Sequence, residues 1–178
     1  LGEGGESHWG GGAGEGDILG AWGDGCDQWI IQAAAAYGCR RIFAVKGNHD
    51  LISPFPTPIT DLHLRTEVWG GIRFGGFNGS WKYKPKGPFI YEQDEAAELL
   101  GGFPGVDIFV SHNSPRGIHD KDDGIHMGFD ALVEYIRRHK PKVLVHGHQH
   151  TDSVTVVDST KVIGVYGHKV IEVSRGLK

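Results

Sequence analysis

Four short apolar runs are spread along the chain, and each is followed by polar residues that can bind a metal ion. The runs cover residues 17–22, 41–45, 107–110 and 143–145, and the polar residues that follow include Asp24, Asn48, His112 and His148. Short runs rich in β-branched and aromatic residues, apolar on both faces, are typical of strands buried in a covered sheet. The pattern therefore predicts four buried strands.

Three stretches with helical character separate these strands. They cover residues 28–37, 92–100 and 129–139. In the third, Leu132, Val133 and Ile136 fall on one face of the predicted helix. Alternating strands and helices predict an α/β domain built in layers. Residues 1–16 are rich in glycine and lack apolar periodicity, so we expect a poorly defined N-terminal segment, followed by a single domain over residues 17–178.

Two regions predict antiparallel strand pairs beside the main sheet. Residues 66–74 have alternating positions around Gly70-Gly71, which is typical of a hairpin with a two-residue turn. Residues 153–157 and 161–165 predict a second hairpin, and residues 169–173 predict one more strand.

Length and composition exclude several classes of protein. A chain of 178 residues suits one domain better than two. A net charge of −4 argues against a stable nucleic-acid complex but leaves a small phosphorylated substrate open. Because no apolar run approaches about 20 residues, we expect no membrane span. Two cysteines are too few for a disulfide framework, which favours a cytoplasmic location. The oligomeric state stays open.

The polar residues at the strand ends suggest a metal site. If the strands are parallel neighbours, these side chains converge at one edge of the sheet, where α/β folds bind ligands. Imidazole, carboxylate and amide donors together suit Mn, Fe, Zn or Ni. One carboxylate can bridge two ions about 3.5–4 Å apart, a pair that clamps a phosphate during in-line displacement. His49 is left without a ligand role and is available as a proton donor, with Asp50 to orient its ring.

The motifs then point to a known family. In order along the chain, Gly23-Asp24, Gly47-Asn48-His49-Asp50, His112 and Gly147-His148-Gln149-His150 resemble the motif series of the calcineurin-like metallophosphoesterases. The resemblance covers roughly residues 17–174, and residues 111–129 resemble a small bacterial-type subgroup. It implies a layered β-sandwich with flanking helices, and hydrolysis of a phosphodiester or phosphomonoester by a metal-bound hydroxide. Manganese is one of the metals that suit this donor set, and the aromatic and basic residues 77–86 leave a nucleotide open as the substrate.

The same resemblance assigns a role to each motif residue. It implies that Asp24 bridges two divalent metal ions. Asn48, His112 and His148 would complete one metal site, and His150 would join the other. His49 would donate a proton to the leaving oxygen. His148 and His150 lie on the same face if their segment is extended, as ligation at a shared centre would need.

The N-terminal stretch departs from the family pattern. The family's first motif is Asp-x-His at the end of the first core strand, whereas this chain has Gly5-Glu6-Ser7-His8 with no apolar strand before it. Glu6 and His8 are either variant ligands of the metal that His150 would also bind, or the motif is missing, so that metal site stays open. This departure leaves an alternative function, a catalytically impaired protein of the same fold that acts as a binding module. The presence of His49 favours the enzyme.

Residues outside the motifs have two interpretations. Arg116 is either a phosphate-binding residue or an ordinary surface arginine. Residues 77–86 form either a lid that stacks on a nucleobase or a basic loop with aromatic anchors. Of the other histidines, His119 and His126 fall in a long loop where binding residues often concentrate. We expect His146 to be structural, and His63, His139 and His168 to be solvated.

Overall fold

The computed structural model describes residues 18–172, and the structural statements below concern this part of the chain. In chain order the strands are β1 (Ile18–Trp22), β2 (Arg41–Val45), β3 (Ile59–Asp61), β4 (Thr66–Trp69), β5 (Ile72–Phe77), β6 (Ser80–Trp81), β7 (Ile90–Tyr91), β8 (Ile108–Ser111), β9 (Val143–His146), β10 (Ser153–Val157) and β11 (Thr160–Gly164). The helices are α1 (Asp27–Ala36), α2 (Gln93–Gly101) and α3 (Asp130–His139), which confirms the three predicted helices.

The four predicted strands belong to two sheets, not to one. β1, β2 and β3 form a parallel sheet in that order, whereas β8 and β9 are central in a six-stranded sheet of order β10-β11-β9-β8-β5-β4. Within each pair the strands end in register, Trp22 beside Val45 and Ser111 beside His146. The loops that follow the two strands of a pair therefore begin at the same edge of the sheet. The expectation of parallel neighbours holds within each pair and is wrong for the set of four.

Alternating side chains bury both faces of each sheet. Phe43 and Val45 of β2 share a core between the sheets with Val110 of β8, whereas Ile42 and Ala44 pack towards α1. On β8 the intervening residue, Phe109, packs instead among side chains of α2 and α3. Since successive strand residues point to opposite faces, the order of layers is helix, sheet, sheet, helices. This architecture confirms the predicted layered α/β sandwich with flanking helices.

Local sequence accounts for the ends of the elements. The N–H of Glu92 donates to Glu95 Oε2 at 2.7 Å, forming a capping box at the start of α2. Helix α3 carries Arg137, Arg138 and His139 in its last turn, where positive charge stabilises the helix dipole. In β4–β5, Trp69 pairs with Ile72 across Gly70-Gly71, so this predicted hairpin is confirmed.

The C-terminal hairpin is also confirmed, but the strand expected after it is wrong for residues 169–172. β10 and β11 pair antiparallel around Asp158-Ser159. β11 then pairs on its other side with β9, so both of its edges are occupied before residue 169. Residues 166–170 are exposed and irregular. Val173 lies outside the described residues, as do residues 1–17 with the predicted ligands Glu6 and His8.

Within residues 18–172, none of the three helices exceeds ten residues, and none is long and apolar enough to span a bilayer.

Candidate metal centre

Two glycines allow the loops after β1 and β2 to meet. A Cβ on Gly23 would overlap the backbone of Gly47 and the ring of His112. A Cβ on Gly47 would in turn overlap the carboxylate of Asp24 and the same ring. Gly23 also has a φ of +91°, which favours glycine. The glycine before Asp24 and the glycine before Asn48 are therefore steric requirements of one contact between loops.

Hydrogen bonds fix these two loops to each other. The carboxylate Oδ2 of Asp50 accepts from the N–H of Gly47 at 2.7 Å and from the N–H of Asp24 at 3.0 Å. The N–H of His49 donates to Asp24 Oδ1 at 2.9 Å, and His49 itself is exposed. Asp24 has φ 56°, a strained conformation for a residue with a Cβ, which the surrounding bonds hold in place.

His112 lies at the centre of the site. Its Nδ1 lies 2.6 Å from the carbonyl oxygen of Trp22, which can only accept, so Nδ1 carries the proton. Its Nε2 then has a free lone pair. That nitrogen faces Asn48 Oδ1 at 2.9 Å, His148 Nδ1 at 3.1 Å and Asp24 Oδ2 at 3.5 Å. The two oxygens are also acceptors, so several lone pairs converge at one place.

Such a convergence fits a divalent cation. Asp24, His112 and His148 each offer a ligand atom, and these atoms lie within 4.8 Å of one another. Around an ion with bonds of about 2.1 Å, neighbouring ligand atoms lie about 3.0–3.4 Å apart. The second nitrogen of His112 donates to a backbone carbonyl, the usual arrangement for a metal-binding histidine. This donor set suits Mn, Fe, Zn or Ni, as the sequence predicts.

The two histidines of this cluster are neutral. Burial lowers the pKa of His148 to about 3, and the neighbouring His112 and His126 add to this effect. Burial also lowers the pKa of His112, although Asp24 acts in the opposite direction. His148 Nε2 is buried with no hydrogen-bond partner among the described residues. A neutral imidazole is the form that binds a metal, so the site is prepared for one without loss of a proton.

The segment with His148 is not extended. β9 ends at His146, and both His148 (φ 62°) and His150 (φ 53°) are in the left-handed region. The expectation that the two rings share a face because the segment is extended is therefore wrong. His148 nevertheless joins Asp24 and His112, whereas His150 packs edge-on against His126 and Tyr166, with ring centroids 6.0 and 5.6 Å away. The role of His150 in a second metal site stays a prediction.

A long loop after β8 covers one side of the centre. Gln149 Nε2 donates to Ser114 Oγ and to the carbonyl of His126, both at 2.9 Å. The ring of His126 lies 5.1 Å from that of His148, and its Nδ1 bonds Asp123 at 2.6 Å. In the same loop, Arg116 forms an ion pair with Asp120 at 3.8 Å. A role of Arg116 in substrate binding stays a prediction.

Tyr83 is a site residue that the sequence did not single out. Its hydroxyl accepts a hydrogen bond from Asn48 Nδ2 at 3.1 Å, across 35 positions in sequence. It lies in the basic aromatic segment 77–86, so the only signal was that segment's composition. The segment is anchored to the site loop, because Lys46 N–H donates to Asn78 Oδ1 at 2.8 Å and Gly79 N–H donates to Lys46 O at 2.7 Å.

Comparisons with known proteins agree with this architecture. Residues 10–152 match the calcineurin-like phosphoesterase family. The structure is similar to a phosphopantetheinyl hydrolase from Mycobacterium tuberculosis, with a TM-score of 0.53, 13% identity, and coverage of 84% of this chain and 79% of that one. The protein TT1561 of Thermus thermophilus gives a TM-score of 0.51 at 12% identity, covering 83% and 87% of the two chains.

Another crystal structure gives a TM-score of 0.56 at 19% identity, and covers 77% of this chain. The present chain spans 61% of that structure's length. At such identities, these similarities show the fold alone. No curated protein matches the sequence.

The fold and the site together define a metallophosphoesterase-type α/β sandwich. The chain belongs to the calcineurin-like phosphoesterase family. Members of this family bind divalent metals and are in general metal-dependent phosphoesterases.

Proposed function

We propose that this protein is a metal-dependent phosphoesterase that hydrolyses a small phosphodiester or phosphomonoester, with a nucleotide among the candidates. The observation that carries this proposal is the group of lone pairs that faces Nε2 of His112, directly beside the exposed His49. A cation site next to a solvent-accessible imidazole combines the two elements that phosphoester hydrolysis needs, charge neutralisation and a proton source.

Four described residues would hold the first ion: Asp24, Asn48, His112 and His148. When bound, a divalent ion neutralises phosphate oxygens and lowers the pKa of a water molecule. Oδ1 of Asp24 accepts the N–H of His49, and the same carboxylate would also contribute to a second ion. His150, with Glu6 and His8, remains the proposed source of ligands for this second ion.

His49 is the proposed proton donor to the leaving oxygen. Its backbone N–H is bonded to Asp24, which keeps the residue beside the centre, and its exposure lets the ring recover a proton from solvent. Asp50 acts as a positioning residue, because its carboxylate joins the loops of Asp24 and His49 through two backbone N–H groups. A general acid of this kind contributes about 10²–10⁴-fold to a rate.

The test compares two substrates that differ in their need for an acid. The parent protein and His49→Gln are assayed with Mn²⁺ on p-nitrophenyl phosphate and phenyl phosphate, and on their diesters. Phenol, with a pKa of about 10 like tyrosine, needs protonation as it leaves, whereas p-nitrophenol is more acidic and needs less help. We expect His49→Gln to lower kcat by about 10²–10⁴-fold on the phenyl ester and by less on the nitrophenyl ester.

Two controls give this comparison its meaning. Asp24→Asn should lose bound metal and activity together, whereas the exposed His168→Gln should behave like the parent. Equal losses on both esters in His49→Gln would show that His49 is not the proton donor. Absence of metal-dependent hydrolysis on every ester by the parent protein would leave the binding-module alternative and overturn the proposed activity.

A further inference from the structure

A cleft of about 560 Å³ lies beside strand β3. Its lining includes Lys46, Phe55, Asp61, His63, Arg65 and Phe89. None of the clustered donors Asp24, His112 and His148 lines it. The cleft is therefore a different site from the metal centre, although Lys46 is two residues from Asn48.

Lys46 is the unusual residue of this cleft. The residue is only 3% exposed, yet it reaches the cleft wall, and its ammonium lies 4.2 Å from the centre of the Phe55 ring. Within residues 18–172 no carboxylate lies within 4.0 Å of that nitrogen. A ring face compensates only part of the hydration that a buried cation loses. The ammonium of Lys46 can therefore still bind an anion.

The position of Lys46 is fixed by its backbone. Its N–H donates to Asn78 Oδ1 at 2.8 Å, and its carbonyl accepts from Gly79 N–H at 2.7 Å. Asn78 N–H in turn donates to Nδ1 of His63 at 3.1 Å, so the ring hydrogen of the neutral His63 is on Nε2. These bonds preorganise two donors of the cleft before any ligand binds.

The charges of the lining favour an anion. The lining contains two basic residues, Lys46 and Arg65, and one acidic residue, Asp61. One oxygen of Asp61 is already used, because Oδ1 accepts the N–H of His63 at 2.9 Å. Arg65 is exposed at the mouth, and its planar guanidinium can bind two phosphate oxygens at once. The lining also contains apolar side chains, among them Ile52, Phe55 and Phe89, which suit a carbon skeleton.

We propose that this cleft binds an organic phosphate, with the phosphate between Lys46 and Arg65 and an apolar or aromatic body against Phe55 and Phe89. The site does not depend on a bound metal. It therefore stands or falls separately from the phosphoesterase activity proposed above. The cleft and the metal centre are connected through the chain, because Lys46 of the cleft is two residues from Asn48.

The test measures binding with the metal centre disabled. Phenyl phosphate is titrated calorimetrically into the full chain in excess chelator, so that no metal ion contributes to phosphate binding. We expect one equivalent to bind. Lys46→Met, which keeps the length of the side chain, and Arg65→Gln should each weaken binding by about tenfold or more. The exposed Arg137→Gln, a matched loss of charge on α3, should have no effect, and nor should Asp24→Asn.

Several outcomes would overturn the proposal. No binding by the parent protein in chelator would do so, as would binding unchanged in Arg65→Gln, an exposed substitution that should not disturb folding. Binding lost in Asp24→Asn would assign the phosphate to the metal centre instead. Inorganic phosphate that binds as tightly as phenyl phosphate would remove the apolar part of the ligand. Hydrolysis with added Mn²⁺, measured in parallel, reports on the metal centre alone.

Discussion

The side-chain amide of Asn48 donates its hydrogen to the hydroxyl oxygen of Tyr83, with 3.1 Å between Nδ2 and Oη. This bond holds the amide in the orientation that places Oδ1 2.9 Å from Nε2 of His112. An amide binds a cation through its oxygen and repels one through its NH₂ group. Tyr83 is therefore a positioning residue for a predicted metal ligand.

Tyr83→Phe should weaken metal binding. The variant keeps the ring but removes the acceptor that orients Asn48, and loss of such a supporting bond typically costs 10–100-fold in metal affinity. Affinity for Mn²⁺ or Zn²⁺ is measured by competition with a chromophoric chelator. The control is Tyr135→Phe, which also loses a hydroxyl hydrogen bond, to the carbonyl of Pro104, but among the helices. Equal affinities in Tyr83→Phe and the parent would contradict the prediction.

Gly47→Ala should disrupt the metal centre by steric overlap alone. The φ of Gly47 lies outside the left-handed region, so alanine is compatible with the backbone, but its Cβ would overlap the carboxylate of Asp24 and the ring of His112. Relief of such overlap typically costs about 1–3 kcal/mol of stability and displaces the ligands. Urea unfolding and metal content are the measurements.

Gly101→Ala provides the matched control for that substitution. Nothing lies within 4 Å of a Cβ built on Gly101, which ends helix α2. Alanine has the higher helix propensity, so this variant should be as stable as the parent or slightly more stable. If Gly47→Ala also retained parental stability and metal content, the packing between the two loops would have room for a methyl group after all.

Bound metal should stabilise the fold, and this effect should depend on His148. A ligand that binds only the folded state adds about 2.7 kcal/mol at 100 times its Kd. We therefore expect Mn²⁺ or Zn²⁺ to raise the Tm of the parent, and to raise that of His148→Gln much less. His168→Gln, at an exposed histidine beyond β11, should keep the parental increase. An undiminished increase in His148→Gln would exclude His148 as a ligand.

Protonation of His63 should destabilise the fold below neutral pH. Burial lowers its pKa, opposed by Asp61 and reinforced by Arg65, and its Nδ1 must stay unprotonated to accept from Asn78. Because the folded pKa lies below the unfolded value of about 6.5, the stabilisation is complete above pH 6.5. It decreases as the pH falls from 6.5 towards the folded pKa.

The measurement is urea unfolding between pH 7.5 and 5. His63→Gln retains a side-chain acceptor but does not titrate, so its stability should depend less steeply on pH than that of the parent. Tyr91, whose ring stacks on His63 at 6.3 Å, stays neutral over this range, since its pKa is raised by burial. Parallel pH profiles for the two proteins would show that His63 is not linked to folding.

The sequence predicts the four strands that precede the candidate site and the polar residues that follow them, because the apolar run and the motif are both local patterns. An apolar run followed by Gly-Asp or Gly-Asn-His-Asp is visible within ten residues. The distribution of the strands between two sheets is not, since a strand that is apolar on both faces has the same pattern in either sheet. β1 and β8 have similar patterns but lie in different layers.

Contacts between distant segments account for the remaining differences. Tyr83 reaches Asn48 across 35 positions, and no local pattern encodes that bond. Likewise, His63 is expected to be solvated, but it is half-buried and its Nδ1 accepts the N–H of Asn78, 15 positions away. At His148 and His150, alternation predicts a continuing strand, but left-handed backbone angles end it, which a periodicity argument does not include.

The cluster of donors takes two members from each sheet: Asp24 and Asn48 follow β1 and β2, whereas His112 and His148 follow β8 and β9. The separation of the donors is thus set by how far one sheet slides over the other. Side chains at the shared interior, such as Phe43 and Val145, act as spacers between the layers. We therefore expect substitutions deep in the core to change the spacing of the donors, and with it the preferred metal, without any change to a ligand.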